Sequence, residues 1–244
     1  MSDPLFLASF GDVAVGEAVR VTGDEARHAI SVKRIRPGET VFLADGLGRR
    51  VWGPVTSTEA GELLVEVVRI DNTPPPGLEF VAVQALAKGD RSDLAVEMLT
   101  EVGVRRIVAW QASRSIVRWQ GDRGAKSLAK WQATAREAMK QSRRSFLPQV
   151  SSASTREVAA LVADVDLALV LHEEATDHIA DVTLPASGSV AVIVGPEGGI
   201  SPDELAAFTD AGARPVLISD GVLRTSTAGA VAVAQLEVLA RQAR

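Results

Sequence analysis

Cysteine and tyrosine are absent from this chain of 244 residues, aromatic side chains make up 4% of it, and histidine occurs three times. Without cysteine there is no disulfide scaffold, zinc finger, iron–sulfur site or thiolate nucleophile. No apolar run approaches the roughly 20 residues that span a bilayer. The start, Met1-Ser2-Asp3-Pro4-Leu5-Phe6, lacks the basic region and long apolar core of a secretory leader. A soluble cytoplasmic protein, with neither membrane nor metal as partner, is expected. What the chain does have is aliphatic bulk. Its residues are 46% hydrophobic, and at ~150 residues per domain the length suits one or two domains with sizeable cores.

Acidic residues outnumber basic ones, and the formal net charge of -5 argues at first against a nucleic-acid partner. The total conceals a segregation: residues 1–72 carry -3, residues 73–150 carry +6 and residues 151–244 carry -8. Segment asymmetry says more about partners than the sum does. The window 105–144 holds 11 basic residues against two acids, Asp122 and Glu137.

The first 72 residues read as a small β-rich unit. Thr40–Asp45, Arg50–Gly53 and Glu62–Ile70 are strand-like, with a short helix over Asp24–Val32 before them. Asn72-Thr73-Pro74-Pro75-Pro76-Gly77 then marks a boundary, because consecutive prolines stiffen the chain and donate no ladder hydrogen bonds. Beyond it, strands and helices alternate. Strands are expected at Phe80–Leu86, Arg106–Trp110, Leu167–Leu171, Val190–Val194 and Pro215–Ile218. Helices are expected at Ser92–Val102, Ala125–Ser142, Thr155–Ala163, Pro202–Ala211 and Thr227–Gln242. This order predicts an α/β domain with a mainly parallel sheet, whose ligands sit where loops leave the C-terminal ends of strands.

The helix over 125–144 explains the basic window. Lys126, Lys130, Arg136, Lys140, Arg143 and Arg144 fall within an arc of about 140° at 100° per residue, opposite Leu128, Trp131, Ala135, Ala138 and Met139. A merely solubilising helix mixes signs through i,i+4 pairs, and this stripe has few acids. Contact with a polyanion is therefore expected.

Gly195-Pro196-Glu197-Gly198-Gly199-Ile200 follows an apolar strand and leads into Ser201-Pro202-Asp203-Glu204, a capping box with proline at the first helical position. Glycines there let main-chain amides approach a ligand, although a tight strand-to-helix turn uses the same residues. No Gly-Lys-[Ser/Thr] follows, and no Gly-x-Gly-x-x-Gly opens the α/β domain, which disfavours P-loop and dinucleotide readings. A third segment, Ile218–Ala230, carries an isolated and buried-looking arginine, Arg224, into a helix of small residues. Its structural alternative is an ion pair with Asp220 or Glu197. The histidines His28, His172 and His178 are not spaced for a metal, and surface or capping roles are expected of them.

In chain order these residues resemble the ribosomal small subunit methyltransferase E family of the SPOUT superfamily. The resemblance rests on His28–Gly38, Glu97–Val104, Ser113-Arg114-Ser115, Glu137–Arg144 with Pro148, Gly195–Gly199, and Val222-Leu223-Arg224-Thr225 with Thr227-Ala228. It implies a PUA-like RNA-binding β-barrel over 1–72, a Pro-rich linker at 73–77, and a methyltransferase domain over 78–244 whose chain is tied in a trefoil knot, an exception to the usual rule. It implies a homodimer that uses S-adenosylmethionine to methylate N3 of one uridine in 16S ribosomal RNA, free or in the small ribosomal subunit. The donor pocket would be built from Leu171, His172, Gly195, Pro196, Glu197, Gly198, Gly199, Ile218, Ser219, Val222 and Leu223, with Thr225 and Thr227 near its floor. RNA would be held by His28, Lys33, Arg34, Arg114, Arg136, Lys140, Arg143 and Arg144.

The chain departs from the family pattern at Ile218-Ser219, where Leu-Gly is usual, and at Ser226, where Glu is usual. Uridine N3 is a poor nucleophile until its imide proton is lost or polarised. Arg224 is expected to stabilise the developing charge on the imidate oxygens. The proton would go to Glu197 or to water. The absence of cysteine gains meaning here, because it excludes RNA methyltransferases that work through a cysteine adduct and leaves direct transfer to nitrogen. Two alternatives remain on sequence alone: a SPOUT enzyme acting on transfer RNA or a ribose 2′-hydroxyl, and a noncatalytic RNA-binding protein.

Overall fold

The computed structural model describes residues 3–242; Met1 and Ser2, part of the expected leaderless start, lie outside them. The described chain forms two compact units, residues 3–75 with 139–147, and residues 76–138 with 148–242. The segment 139–147, expected within the methyltransferase domain, thus groups with the first unit.

The first unit is built on a six-stranded sheet: β1 (Leu5–Leu7), β2 (Ala18–Val21), β3 (Thr40–Ala44), β4 (Arg49–Ser57), β5 (Leu63–Glu66) and β6 (Arg69–Asn72). Its order is β1-β3-β4-β5-β2, with β6 also paired to β4; β1 and β3 run parallel, and the other pairs are antiparallel. The strand expected over Glu62–Ile70 is two strands. They part at Val67 and Val68, whose amides bond to Glu17 and to Trp52 in β4. Gly53 makes this crossing possible, since a Cβ there would lie 1.7 Å from the Glu66 carbonyl oxygen. Helix α1 (Gly23–Arg27) runs into a wider turn over His28–Val32, closed by Lys33 N–H donating to His28 O at 2.9 Å. Strands β1 and β2 were not expected, being too short to show a period. Phe6, Val19, Val21, Val41, Leu43, Val51, Leu63 and Val65 fill the core.

The second unit carries β7 (Leu78–Ala85), α2 (Arg91–Glu101), β8 (Arg106–Trp110), α3 (Gly121–Ser142), β9 (Gln149–Ala153), α4 (Thr155–Asp164), β10 (Leu167–Leu171), β11 (Gly188–Val194), α5 (Pro202–Asp210), β12 (Arg214–Val216) and α6 (Thr225–Gln242), with the last turn of α3 grouping with the first unit. The six strands form one parallel sheet in the order β12-β10-β11-β7-β8-β9. Central strands such as β7 and β11 are buried along nearly their whole length, as a sheet covered on both faces requires. The unexpected strand, β9, lies at the sheet edge and is polar and largely exposed, which leaves no hydrophobic pattern to find. Proline in β12 is tolerated at the opposite edge. Helices α4 and α5 both open with complete capping boxes, Ser154 with Glu157 and Ser201 with Glu204. Trp110 and Phe208 meet edge to face at 5.1 Å in the core, an arrangement contributing about 1 kcal/mol beyond area burial. The small residues of α6 pack it against α2, β7 and β11. Within it, a Cβ on Gly229 would already press on Val194 and Leu99 at 3.1 and 3.2 Å.

Candidate functional site in the parallel-sheet unit

Strands β12, β10, β11 and β7 are adjacent and parallel, so the loops that follow them leave from one edge of the sheet. Leu171 ends β10, and the amide of His172 donates to Val216 O at 3.2 Å. The His172 ring caps the turn that follows, its Nδ1 accepting the Glu174 amide at 3.2 Å. His178 caps a short helical turn in the same manner, accepting from Ala180 N–H at 3.1 Å. Among the described residues, no group of three or more histidines and carboxylates could hold a metal ion.

The Gly195–Gly199 loop is held from three sides. Thr225, buried at the start of α6, donates its hydroxyl to Gly195 O at 2.7 Å. Gln84, buried in β7, donates Nε2 to that hydroxyl at 3.0 Å and to Thr225 O at 3.3 Å. Its Oε1 is buried and has no partner among the described residues. Arg114 donates Nη1 to Gly198 O at 3.2 Å and to Ile200 O at 3.5 Å. Glu197 accepts Lys88 N–H at 3.2 Å and pairs with Arg91 at 3.6 Å. Gly195 itself is required by packing, because a Cβ there would meet Ile200 Cγ1 at 2.7 Å. Sequence reasoning missed Gln84, although one amide inside the apolar run Phe80-Val-Ala-Val-Gln-Ala-Leu86 was the available signal.

Behind the loop sits Glu204, buried and yet charged. Its carboxylate accepts Ser113 N–H at 2.7 Å, Ser113 Oγ at 2.8 Å, Ser201 Oγ at 2.8 Å and Thr155 Oγ1 at 3.1 Å. Burial pushes its pKa up, and the hydrogen bonds from Ser113 and Ser201 outweigh this, holding the carboxyl below the usual carboxylate range. The capping box was legible; its extension to Ser113 and Thr155 was not.

The third loop, Leu217–Arg224, is strapped to the segment before it by Leu217 N–H to Asp177 O and Ile179 N–H to Leu217 O, both 2.8 Å. Gln235 of α6 holds Ile218 O at 3.1 Å. Ser219 Oγ accepts Gly221 N–H at 3.3 Å. Val222 is left 80% exposed, an apolar side chain presented at the loop tip. Arg224 corrects an expectation. It is exposed, not buried, and among the described residues its guanidinium pairs with neither Asp220 nor Glu197. Its carbonyl accepts the amides of Thr227 and Ala228, which places the side chain at the N-terminus of α6. Ser226, where the family pattern has Glu, is buried.

The expected cation stripe holds in part. Leu128, Trp131, Ala135, Ala138 and Met139 turn inward, and Lys126 and Arg136 are exposed. Lys130 pairs with Asp93 at 2.5 Å. Lys140 is buried and pairs with Glu25 at 2.8 Å inside the first unit, so it does not face solvent. A helix drawn on a wheel does not show which distant segment covers it. In the same unit, Arg143 is exposed and donates Nη2 to Asp3 O at 2.9 Å. Lys33 and Arg34 are exposed, Arg144 is half-buried, and His28 packs edge-on to Phe6 at 6.4 Å. Arg114, expected among the RNA cations, is exposed and donates to main-chain carbonyls of the glycine loop.

The family model described as RNA methyltransferase domain matches residues 74–237, and the one described as RNA methyltransferase PUA domain matches residues 21–68. Fold and loops therefore define an RNA methyltransferase with a PUA-like front unit. Over 229 residues the chain is 46% identical to the ribosomal RNA small subunit methyltransferase E of Mycobacterium bovis, covering 92% of this chain and 87% of that protein. Its counterpart in Bacillus subtilis is 27% identical over 218 residues, 85% of each chain. The crystal structure of the Neisseria gonorrhoeae ribosomal RNA small subunit methyltransferase E bound to S-adenosyl methionine superposes with a TM-score of 0.86 at 30% identity, over 98% of both chains. The chain belongs to the ribosomal RNA small subunit methyltransferase E family.

Proposed function

We propose that this chain transfers the methyl group of S-adenosylmethionine to N3 of one uridine in 16S ribosomal RNA, acting as a cytoplasmic homodimer. The observation that carries the proposal is the meeting of the loops after β10, β11 and β12 at one sheet edge, the β11 loop tied to the start of α6 through Thr225 and Gln84. The loops suit the donor: Ile218, Val222 and Leu223 offer apolar faces for an adenine, and Gly195–Gly199 and Ile218–Ser219 offer main-chain groups beside it. When bound, S-adenosylmethionine supplies a methyl group made electrophilic by its sulfonium. Leu171, His172, Gly195–Gly199, Ile218, Ser219, Val222, Leu223, Thr225 and Thr227 bind and orient it. The strapping of Leu217 along Asp177–Ile179 supports a knotted path for this part of the chain.

Arg224 is the catalytic residue in this reading. Exposed at a helix N-terminus and without a partner among the described residues, it is available to the uracil oxygens that gain charge as N3 attacks. Ser226 contributes no carboxylate, and Glu197 is engaged by Lys88 and Arg91, so the imide proton passes to water. Residues 1–72, together with 139–147, form the RNA-binding front domain, 73–77 the linker, and the remainder of 78–244 the methyltransferase domain. Phosphates are met by Lys33, Arg34, Arg143 and Arg144, with His28, in the first unit and by Arg136 in the second. Leu94 on α2 and Val238 on α6, exposed on two helices that pack together, supply apolar surface for a second copy.

Mass mapping of methylated nucleosides in small-subunit RNA, from cells with and without the gene, tests the proposal. Loss of 3-methyluridine alone is expected. An unchanged small-subunit pattern, with a methylated nucleoside lost from transfer RNA, would move the substrate there.

A further inference from the structure

Two cavities in the second unit share Gly89, in the loop after β7. One is lined by Lys88, Gly89, Arg91, Ile116 and Glu197; the walls of the other include Val117, Trp119, Lys130 and Trp131. Apart from Glu197, none of these was assigned to RNA or donor above, and of the basic helix's cations only Lys130 lines the walls. Each acid in the walls is answered: Glu197 by Arg91 at 3.6 Å and Asp93 by Lys130 at 2.5 Å. Lys88 has no ion pair among the described residues, so its ammonium is the charge left over.

Trp119 is half-buried and rigidly mounted. Its amide donates to Gln111 Oε1 at 2.7 Å, and its ring meets Trp131 edge to face at 5.1 Å. Gly124 of α3 lies so close that a Cβ there would come within 3.0 Å of the Trp119 carbonyl carbon. Beside it Ile116 stands 73% exposed. A fixed, partly open aromatic surface beside an exposed aliphatic side chain and an unpaired cation is what a single strand of RNA requires. Unstacked bases lie on the apolar faces, while the phosphate between them meets the ammonium. Duplex RNA hides those base faces.

The place in the sheet gives this groove a purpose. The donor loops follow β10, β12 and β11, whereas the groove follows β7 and β8 on the other side of β11. Glu197, on the loop between them, lines it. We infer that this groove receives the single-stranded RNA segment carrying the target uridine, with Lys88 on a phosphate and Trp119 against a base next to the target. The inference rests on the methyltransferase reading above and adds the path of its substrate.

Fluorescence anisotropy of an end-labelled, single-stranded uridine oligonucleotide, titrated with the full chain, tests it. Trp119→Ala is expected to weaken binding about tenfold, with Trp119→Phe recovering most of the loss. Lys88→Ala is expected to lower the slope of log affinity against log salt by about 0.7. Arg156→Ala, an exposed cation on α4, controls for net charge and should change neither. Calorimetric affinity for S-adenosylmethionine stays at the wild-type value in Lys88→Ala and Trp119→Phe, which also verifies folding. Wild-type oligonucleotide binding in both Trp119→Ala and Lys88→Ala overturns the groove. Loss of donor affinity in Lys88→Ala overturns it too, because it would put the carboxylate of the donor at that lysine. The same preparation is assayed for methyl transfer to small ribosomal subunits. Failure there strikes the proposed function and leaves the binding result to stand by itself.

Discussion

Arg114 and Gly198, 84 residues apart, are joined by a single guanidinium: Nη1 donates to the glycine carbonyl at 3.2 Å, and to Ile200 O at 3.5 Å. This cation comes from the basic stretch of the sequence, yet it positions the glycine loop. Arg114→Ala is expected to weaken S-adenosylmethionine binding by about 1.5 kcal/mol, the contribution of a charge-assisted hydrogen bond, or roughly tenfold. Isothermal titration measures it. An affinity equal to wild type would return Arg114 to the RNA contacts.

Arg224, also exposed, is by contrast without a partner among the described residues. Arg224→Ala should reduce single-turnover methyl transfer by about 10²- to 10³-fold, as the loss of an oxyanion donor does. Donor affinity should stay within a few-fold of wild type. Turnover near the wild-type rate would remove the arginine from the mechanism.

Two cations on one helix should separate cleanly. Lys140 is buried against Glu25, so Lys140→Ala should cost about 2 kcal/mol of stability, less than a fully buried pair because Glu25 is partly exposed. Its effect on the salt dependence of RNA binding should be small. Arg136→Ala should leave the melting temperature alone and lower the salt slope by about 0.7. Equal salt effects from the two would contradict the burial of Lys140.

Glu204 makes the stability of the second unit depend on acid. Its carboxyl is held below the usual range when folded, so its stabilising contribution is complete above its unfolded value of about 4.3. The contribution is lost as pH falls through the folded value. Glu204→Gln should lower stability at pH 7 and flatten the acid limb of a stability–pH curve. Parallel curves for the two proteins would show that the carboxylate is not the group responsible.

Local chemistry was legible wherever it was dense. The apolar runs at Leu167–Leu171 and Arg106–Trp110 became strands with the expected ends, and the capping box at Ser201–Glu204 formed as spelled. Polar, short or edge elements such as β9 and β1 were invisible, since pairing with a neighbour, and not their own pattern, makes them strands.

By itself the sequence determined the α/β alternation, the absence of thiol chemistry, the charge segregation and the ordered motifs that mark the family. Only the tertiary structure decided which charges are at work. It buried Lys140 out of the expected stripe, tied Arg114 to the glycine loop, freed Arg224 from its supposed partners, and set Lys88 and Trp119 in two cavities that share Gly89. The physical reason is range. Periodicity and capping act within a few residues along the chain, whereas the partner of a guanidinium or an ammonium is whatever a segment 80 or 100 residues away brings within 3 or 4 Å.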